Sequence, residues 1–438
     1  LMAYIPSAVY PRLKALTATD YGLSAGTPHT FHVNGTMRQQ DIKTDNAWNT
    51  LVVGGLGQGG QGFYAVNATD STTLGTASGA VKWEWNDQND VEMGYSFAAP
   101  VIYNVRTSEK TVVPAVILAN GYENDYDDTA VYGKRKAEDP DTCKRVVTGL
   151  PNKLCNTSAL YVINASTGEL IKKISVPGTA DGIGGLSSPA GVDFGQDGIL
   201  DYVYAGDMSG KVWRFDLTDN NPANFKVVTT PIFDAGPTHP VVMRPAIKPV
   251  TRFDGVSIGN LVMFGTGKLL TDADRADKTT QTFYAVLDDM SASPKTASRT
   301  DLLERTILGT VAESRTGYRA GTYRIVSRDP SSTKFDLTSE SNTWKGWRLD
   351  FPLETERLVT SPMLYDDKLL FGTGVTQSSQ QCLPGGKGWV MGLDPMTGSV
   401  TKSARGKEFS FIDVKTDGKS TDSDKVSFSL SDPTASSA

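Results

Sequence analysis

Five short stretches of this chain share one shape. "GFYAVNATD" (62–70), "LYVINASTGELIKKI" (160–174), "VWRFDLTDN" (212–220), "TFYAVLDD" (282–289) and "WVMGLDPMTGSV" (389–400) each read as an aromatic-rich strand of alternating polarity running into a polar turn, with Thr-Gly in two cases. Upstream of most lies a Gly-punctuated strand, as in "TLVVGGLGQGG", "VYAGDMSG", "LVMFGTGK" and "LLFGTGV". The repeating unit is therefore strand, tight turn, strand, turn, which is half a propeller blade. With Tyr64, Tyr161, Trp213, Tyr284 and Trp389 as markers, the spacings are about 97, 52, 71 and 105 residues, against roughly 40–50 for one four-stranded blade. Two gaps are wide enough for a second blade, so the expectation is an all-β, seven-bladed β-propeller with loop insertions, its ring closure removing exposed sheet edges. A pair of β-sandwiches is the alternative, but it does not predict that the same strand-turn text recurs.

Composition agrees with the β reading. Glycine (43) and proline (22) are frequent in the 438 residues, and apolar residues come in short runs without helical period. A net charge of −6 with scattered Lys and Arg offers no basic stripe for a phosphate backbone, which argues against a nucleic-acid partner. No run of 18 apolar residues is present, so no membrane-spanning helix is expected, and "LMAYIPSAVYPRL" lacks the features of a signal peptide and reads as the start of an excised piece. Residues 1–403 are assigned to the propeller; 404–438, rich in Lys, Ser and Asp, are expected to form a peripheral segment and flexible tail.

Cys143 and Cys155 bracket the polar stretch "CKRVVTGLPNKLC", which reads as a disulfide-stapled surface loop, with two free thiols as the alternative. Cys382 has no evident partner.

"DFGQDGILD" (193–201) carries the candidate chemistry. Calcium takes six to eight oxygens, and a short loop supplies several when a mid-loop glycine allows a sharp turn. Counting from Asp193, carboxylates fall at positions 1, 5 and 9 (Asp193, Asp197, Asp201), glycine at 6 (Gly198), and the carbonyl of Ile199 at 7. Three like charges this close repel unless a cation sits among them. Position 3 is Gly195, which brings no side-chain oxygen, so a water is expected at that corner and an affinity in the micromolar range or weaker, of order 10⁻⁶ M. The alternative is a turn whose Asp residues cap backbone amides before a strand. A second acidic loop, "NGYENDYDDTA" (120–130), with Asn124, Asp125, Asp127 and Asp128, fits no ion template and reads as a solvated loop tip, a second cation site being the lesser reading.

"MAYIPSAVYPRL", "WNTLVVGGLGQGGQGFYAV", "EMGYSFAAPVI", "DGILDYVYAGDMSGKVWRFDL", "FGTGKLL" and "GWRLDFPLETERLVTSPMLY" together resemble the C-terminal domain of the PilY/PilC family, tip-associated proteins of bacterial type IV pili. The resemblance runs to about residue 400 and implies a modified seven-bladed propeller with a calcium loop on one blade. It also implies an extracytoplasmic place at the outer membrane or pilus, pilins or minor pilins as partners, possible contact with host-cell surface molecules, and roles in pilus assembly, opposition to retraction, twitching motility and host adhesion. On that basis Asp193, Asp197 and Asp201 are the side-chain ligands and Ile199 a backbone ligand, with Gly195 a departure from relatives that carry a polar residue there. A structural assembly scaffold without ion regulation is the alternative in the same setting.

No enzyme is expected. The strands also resemble those of quinoprotein dehydrogenases, but no two cysteines adjoin to carry a quinone, and the seven tryptophans read as blade core. His29, His32 and His239 make no zinc set; Gly267-Lys268 is followed by Leu269 where a phosphate loop needs Ser or Thr; no "GxSxG" elbow occurs.

Overall fold

The computed structural model of the protein describes residues 3–23, 26–44, 47–70, 80–90, 92–122, 157–177, 184–314, 321–327, 335–339, 341–376, 387–399, 401 and 425–430. The architecture is all-β. Among the described residues five sheets are built, and each of the five markers sits buried in a different one. Sheet I runs β1 (Met37–Thr44), β2 (Ala47–Gly55), β3 (Gly62–Asn67), β4 (Val81–Asn86); sheet II runs β5 (Val101–Ser108), β6 (Thr111–Ala119), β7 (Ala159–Asn164), β8 (Leu170–Ser175). Sheet III holds β9 (Ala190–Val192), β10 (Tyr202–Gly206), β11 (Lys211–Asp216) and β12 (Lys226–Val227), with β13 (Phe233–Asp234) also on β11. These strands pair in sequence order because each hairpin turn returns the chain beside the strand it left. Tyr64, Tyr161 and Trp213 lie on β3, β7 and β11, the third strand of each sheet.

Sheet IV begins with β14 (Ala246–Thr251), β15 (Ser257–Gly265) and β16 (Thr282–Asp288), and adds β17 (Leu303–Arg305). The hairpin β18 (Ile307–Glu313) and β19 (Gly321–Val326) follows, before β20 (Gly346–Asp350) returns to sheet IV between β16 and β17. Sheet V contains β21 (Glu356–Leu358), β22 (Met363–Tyr365), β23 (Lys368–Val375), β24 (Lys387–Leu393) and β25 (Lys425–Leu430), and β25 joins it to the β18–β19 hairpin. Tyr284 lies on β16 and Trp389 on β24.

The two extra blades expected from the marker spacing have no sheet of their own among the described residues. The wide interval before Trp389 is taken by β17, the β18–β19 hairpin and β20, which extend sheets IV and V. The interval before Tyr161 holds β5 and β6, the first half of sheet II, and then residues 123–156, outside the described residues. Cys143, Cys155, Cys382 and Asn124, Asp125, Asp127 and Asp128 of the acidic loop also lie outside them. Within the stretch 404–438, the described residues form β25.

The chain divides into two compact units, Leu1–Met208 with Trp213–Thr229, and Ser209–Val212 with Thr230–Ala438. In the first, sheet II is apolar on both faces, which is why β6 and β7 carry continuous buried runs. Val116, Leu118, Ala159, Tyr161 and Ile163 join the core of sheet I with Val53, Phe63, Trp83 and Trp85. The alternate residues Ala115, Ile117, Ala119, Leu160 and Val162 join Val203, Ala205, Trp213 and Phe215 of sheet III. A strand's period of two thus feeds two cores from one sheet, each fully buried large side chain contributing about 1.5–3 kcal/mol. In the second unit Phe283 of sheet IV stacks on Phe371 of sheet V with centroids 4.0 Å apart. Five tryptophans are core as expected, but Trp48 and Trp344 are exposed, at 66% and 39%.

Candidate metal centre

Residues 193–201 form the loop between β9 and β10, whose pairing of Val192 with Tyr202 brings the two ends of the loop together. Asp193 and Asp201 therefore stand side by side at its base, and Asp201 N–H donates to the Val192 carbonyl at 3.0 Å. Leu200 is fully buried and anchors the loop to the core, while residues 194–198 are exposed.

The loop is held by its own carboxylates. Asp193 Oδ1 accepts from Asp197 N–H at 3.1 Å and Oδ2 from Gly198 N–H at 2.8 Å. Asp201 Oδ2 accepts from the N–H groups of Phe194 (2.8 Å) and Gly195 (3.1 Å), and Asp197 Oδ1 from that of Ile199 (3.0 Å). Gly198, at position 6, has φ of +83°, the sharp left-handed turn for which a glycine was expected there. Gln196 also adopts positive φ, at 54°.

Strand β5 of sheet II supplies a second set of contacts, which sequence reasoning missed. Tyr103 donates its hydroxyl to Asp193 Oδ2 at 3.0 Å, Asn104 Nδ2 to the Gly198 carbonyl at 3.1 Å, and Arg106 Nη2 to Asp197 Oδ2 at 3.2 Å. The Asn104 carbonyl accepts from Leu200 N–H at 2.8 Å, and Asn104 bridges to Ile199 in parallel sense. These partners lie 90 or more residues away in sequence, and their one signal is the polar "Tyr-Asn-Val-Arg" inside an apolar strand. For Asp193, burial works to raise the pKa, but the Gly198 N–H, the Tyr103 hydroxyl and the N–H groups of Asp197 and Gln196 outweigh it and hold the carboxyl below its ordinary range. Burial, then Asp193 and the charges of Asp197 and Asp201, push the Tyr103 phenol up.

The residue types suit calcium. A Cβ built on Gly195 lies 3.9 Å from both Asp197 Cγ and Asp201 Oδ2, so position 3 points among the carboxylates. Each carboxylate oxygen has two acceptor directions, so one N–H bond does not exhaust it. The side chains nonetheless face backbone N–H groups and Arg106, and among the described residues no three His, Cys, Asp or Glu side chains converge as a finished metal centre. The Asp197 carboxylate is turned to Arg106.

A family model for the PilY1 β-propeller domain matches residues 2–135 and 148–314, which span both the Asp loop and β5. The chain belongs to the PilY1 β-propeller family. The type IV pilus biogenesis factor PilY1 of Pseudomonas aeruginosa strain PAO1 is 30% identical over 91% of this chain and 33% of its own length. A PilY1 homolog of Xylella fastidiosa is 26% identical over 91% of this chain and 25% of its own. The chain thus spans about a third or less of the length of these relatives. The crystal structure of the Pseudomonas aeruginosa PilY1 C-terminal domain superposes with a TM-score of 0.73 at 26% identity, covering 98% of this chain and 82% of that one. PilY1 relatives are named as biogenesis factors, and among the described residues of this chain no helix is long and apolar enough to cross a membrane.

Proposed function

We propose that this chain is a calcium-binding propeller module of a type IV pilus biogenesis protein. It works outside the cytoplasm, at the cell surface or pilus, in contact with pilus components. The reading is carried by one observation: carboxylates at positions 1, 5 and 9 of a nine-residue hairpin loop whose sixth residue, Gly198, makes the left-handed turn. Asp193, Asp197 and Asp201 would hold the ion, with the Ile199 carbonyl beside them and Gly195 leaving one corner to water. Bound calcium supplies the positive charge that three crowded carboxylates otherwise lack.

The loop closes one end of sheet III and is tied to β5 of sheet II through Tyr103, Asn104 and Arg106. Rearranging its carboxylates around an ion would change the surface that both sheets present. An ion biases partner choice only through a difference in affinity between two states, and in this reading the ion-free and ion-bound loop would be those two. In the whole protein that bias supports pilus assembly by opposing retraction, with twitching motility and adhesion downstream of it.

Calorimetry on the 438-residue chain tests the ion directly. Calcium should bind once and magnesium poorly, because an irregular loop does not offer magnesium its tight octahedron. No heat with calcium, or equal affinity for the two ions, removes the reading.

A further inference from the structure

On the same calcium reading, we infer that Arg106 is the resident cation of the Asp197 carboxylate and that it competes with calcium there, so that Arg106 sets the affinity of the loop. Arg106 Nη2 sits 3.2 Å from Asp197 Oδ2, the carboxylate at position 5 of the loop. A guanidinium has five donors and no acceptor, so it cannot itself ligate a divalent cation, and where it stays on Asp197 its charge repels the ion. Facing Arg106 and facing the ion are therefore competing arrangements of Asp197, the two positive charges repelling each other even where the carboxylate has acceptor directions for both.

The exchange is feasible because the pair is weak. The Arg106 and Asp197 side chains are 29% and 50% exposed, and ion pairs so open to solvent contribute little. Removing the guanidinium also leaves the loop held, because Tyr103 and Asn104 on the same strand grip Asp193 and Gly198 independently. A guanidinium that merely oriented Asp197 for the ion would place its positive charge beside a divalent cation, which favours the opposite arrangement. Calcium entry therefore loosens the hold of Asp197 on the guanidinium of β5 and changes the donors that the edge of sheet II offers to a partner.

Calcium calorimetry on the wild-type chain, Arg106→Gln and Arg106→Lys tests this. Arg106→Gln should tighten binding by about three- to tenfold (about 0.6–1.4 kcal/mol). Arg106→Lys, which keeps the charge, should stay within about twofold of wild type on the tenfold-per-1.4 kcal/mol scale. Salt gives a second readout, since it screens the internal pair as well as the ion: wild-type affinity should fall less steeply with ionic strength than that of Arg106→Gln. Unchanged or weaker binding by Arg106→Gln, with wild type binding normally, overturns the inference alone. No calcium binding by wild type removes the calcium reading, and the inference falls with it.

Discussion

Trp83 donates its indole N–H to the carbonyl of Ala165 at 2.9 Å, across 82 residues of sequence. In the second unit Trp347 makes the same bond to the carbonyl of Pro395, also at 2.9 Å. Both acceptors belong to the Thr-Gly turns of the repeat. In each, an Asx side chain receives the two N–H groups that follow (Asn164 from Ser166 and Thr167, Asp394 from Met396 and Thr397), and a left-handed glycine ends the turn against the tryptophan. Sequence repetition thus encodes one docking joint used twice.

Gly168 and Gly398 have φ of +77° and +67°, and an added Cβ would meet Trp83 at 2.5 Å and Trp347 at 2.3 Å. Left-handed backbone costs an L-residue about 1–2 kcal/mol, and overpacking adds about 1–3. Gly168→Ala and Gly398→Ala should each destabilise by roughly 2–5 kcal/mol on those terms, read as a lower urea midpoint. A loss below about 0.5 kcal/mol, the size of an ordinary surface change, would show that the joint is soft.

The repeat was legible because a strand's alternation and its turn residues are local: all five markers fall in separate sheets, and the mid-loop glycine of the Asp loop turns as its position requires. Spacing alone does not fix the blade number, because it cannot tell a new sheet from an insertion. The β18–β19 hairpin lengthens an existing sheet through β25, a pairing set by strands about 100 residues apart. For the same reason Tyr103, Asn104 and Arg106 were invisible at the site. Their role exists only once β5 of one sheet is laid beside the loop of the next.

Asp350 gives the fold an acid limit. It accepts from Thr282 Oγ1 at 2.6 Å, from Arg299 at 2.9 Å and from Arg348 at 3.1 Å. Burial works to raise its pKa, but Arg299, Thr282 and the charge of Arg348 outweigh it and hold it below the ordinary value. A carboxylate depressed in the folded state stabilises fully above its unfolded pKa of about 3.9, and that contribution is lost as pH falls through the lower folded value. Asp350→Asn should therefore cost about 1–2 kcal/mol at pH 7 and progressively less below about pH 4. Urea denaturation at both ends of that range measures it; an equal cost at both would assign the effect to packing.

Gly195 is a glycine that its backbone does not require. It is not among the residues with left-handed φ, and the Cβ built on it meets nothing closer than 3.9 Å. Gly195→Asn should therefore fold normally and place a side-chain oxygen at position 3, tightening calcium by about tenfold (about 1.4 kcal/mol). Weaker binding in calorimetry would mean that position 3 needs its water, and that the loop is tuned by solvent instead of ligand count.

Asp201 offers a test of the proposed calcium loop in the cell. Its carboxylate closes the loop on the N–H groups of Phe194 and Gly195, while its backbone, through Val192 and Leu217, stays in the sheet whatever the side chain is. Asp201→Ala should thus open the loop and abolish calcium binding without loss of β structure, a separation that circular dichroism and calorimetry together can establish. In bacteria carrying the change in the full-length protein, normal protein levels with altered surface piliation or twitching are expected. Wild-type cells under calcium chelation should show the same change. The agreement of the two is what counts, because chelation alone disturbs many surface proteins. Normal piliation and motility in the Asp201→Ala strain, with calcium binding lost in vitro, would reduce the ion to a structural role and favour an assembly scaffold that no ion regulates.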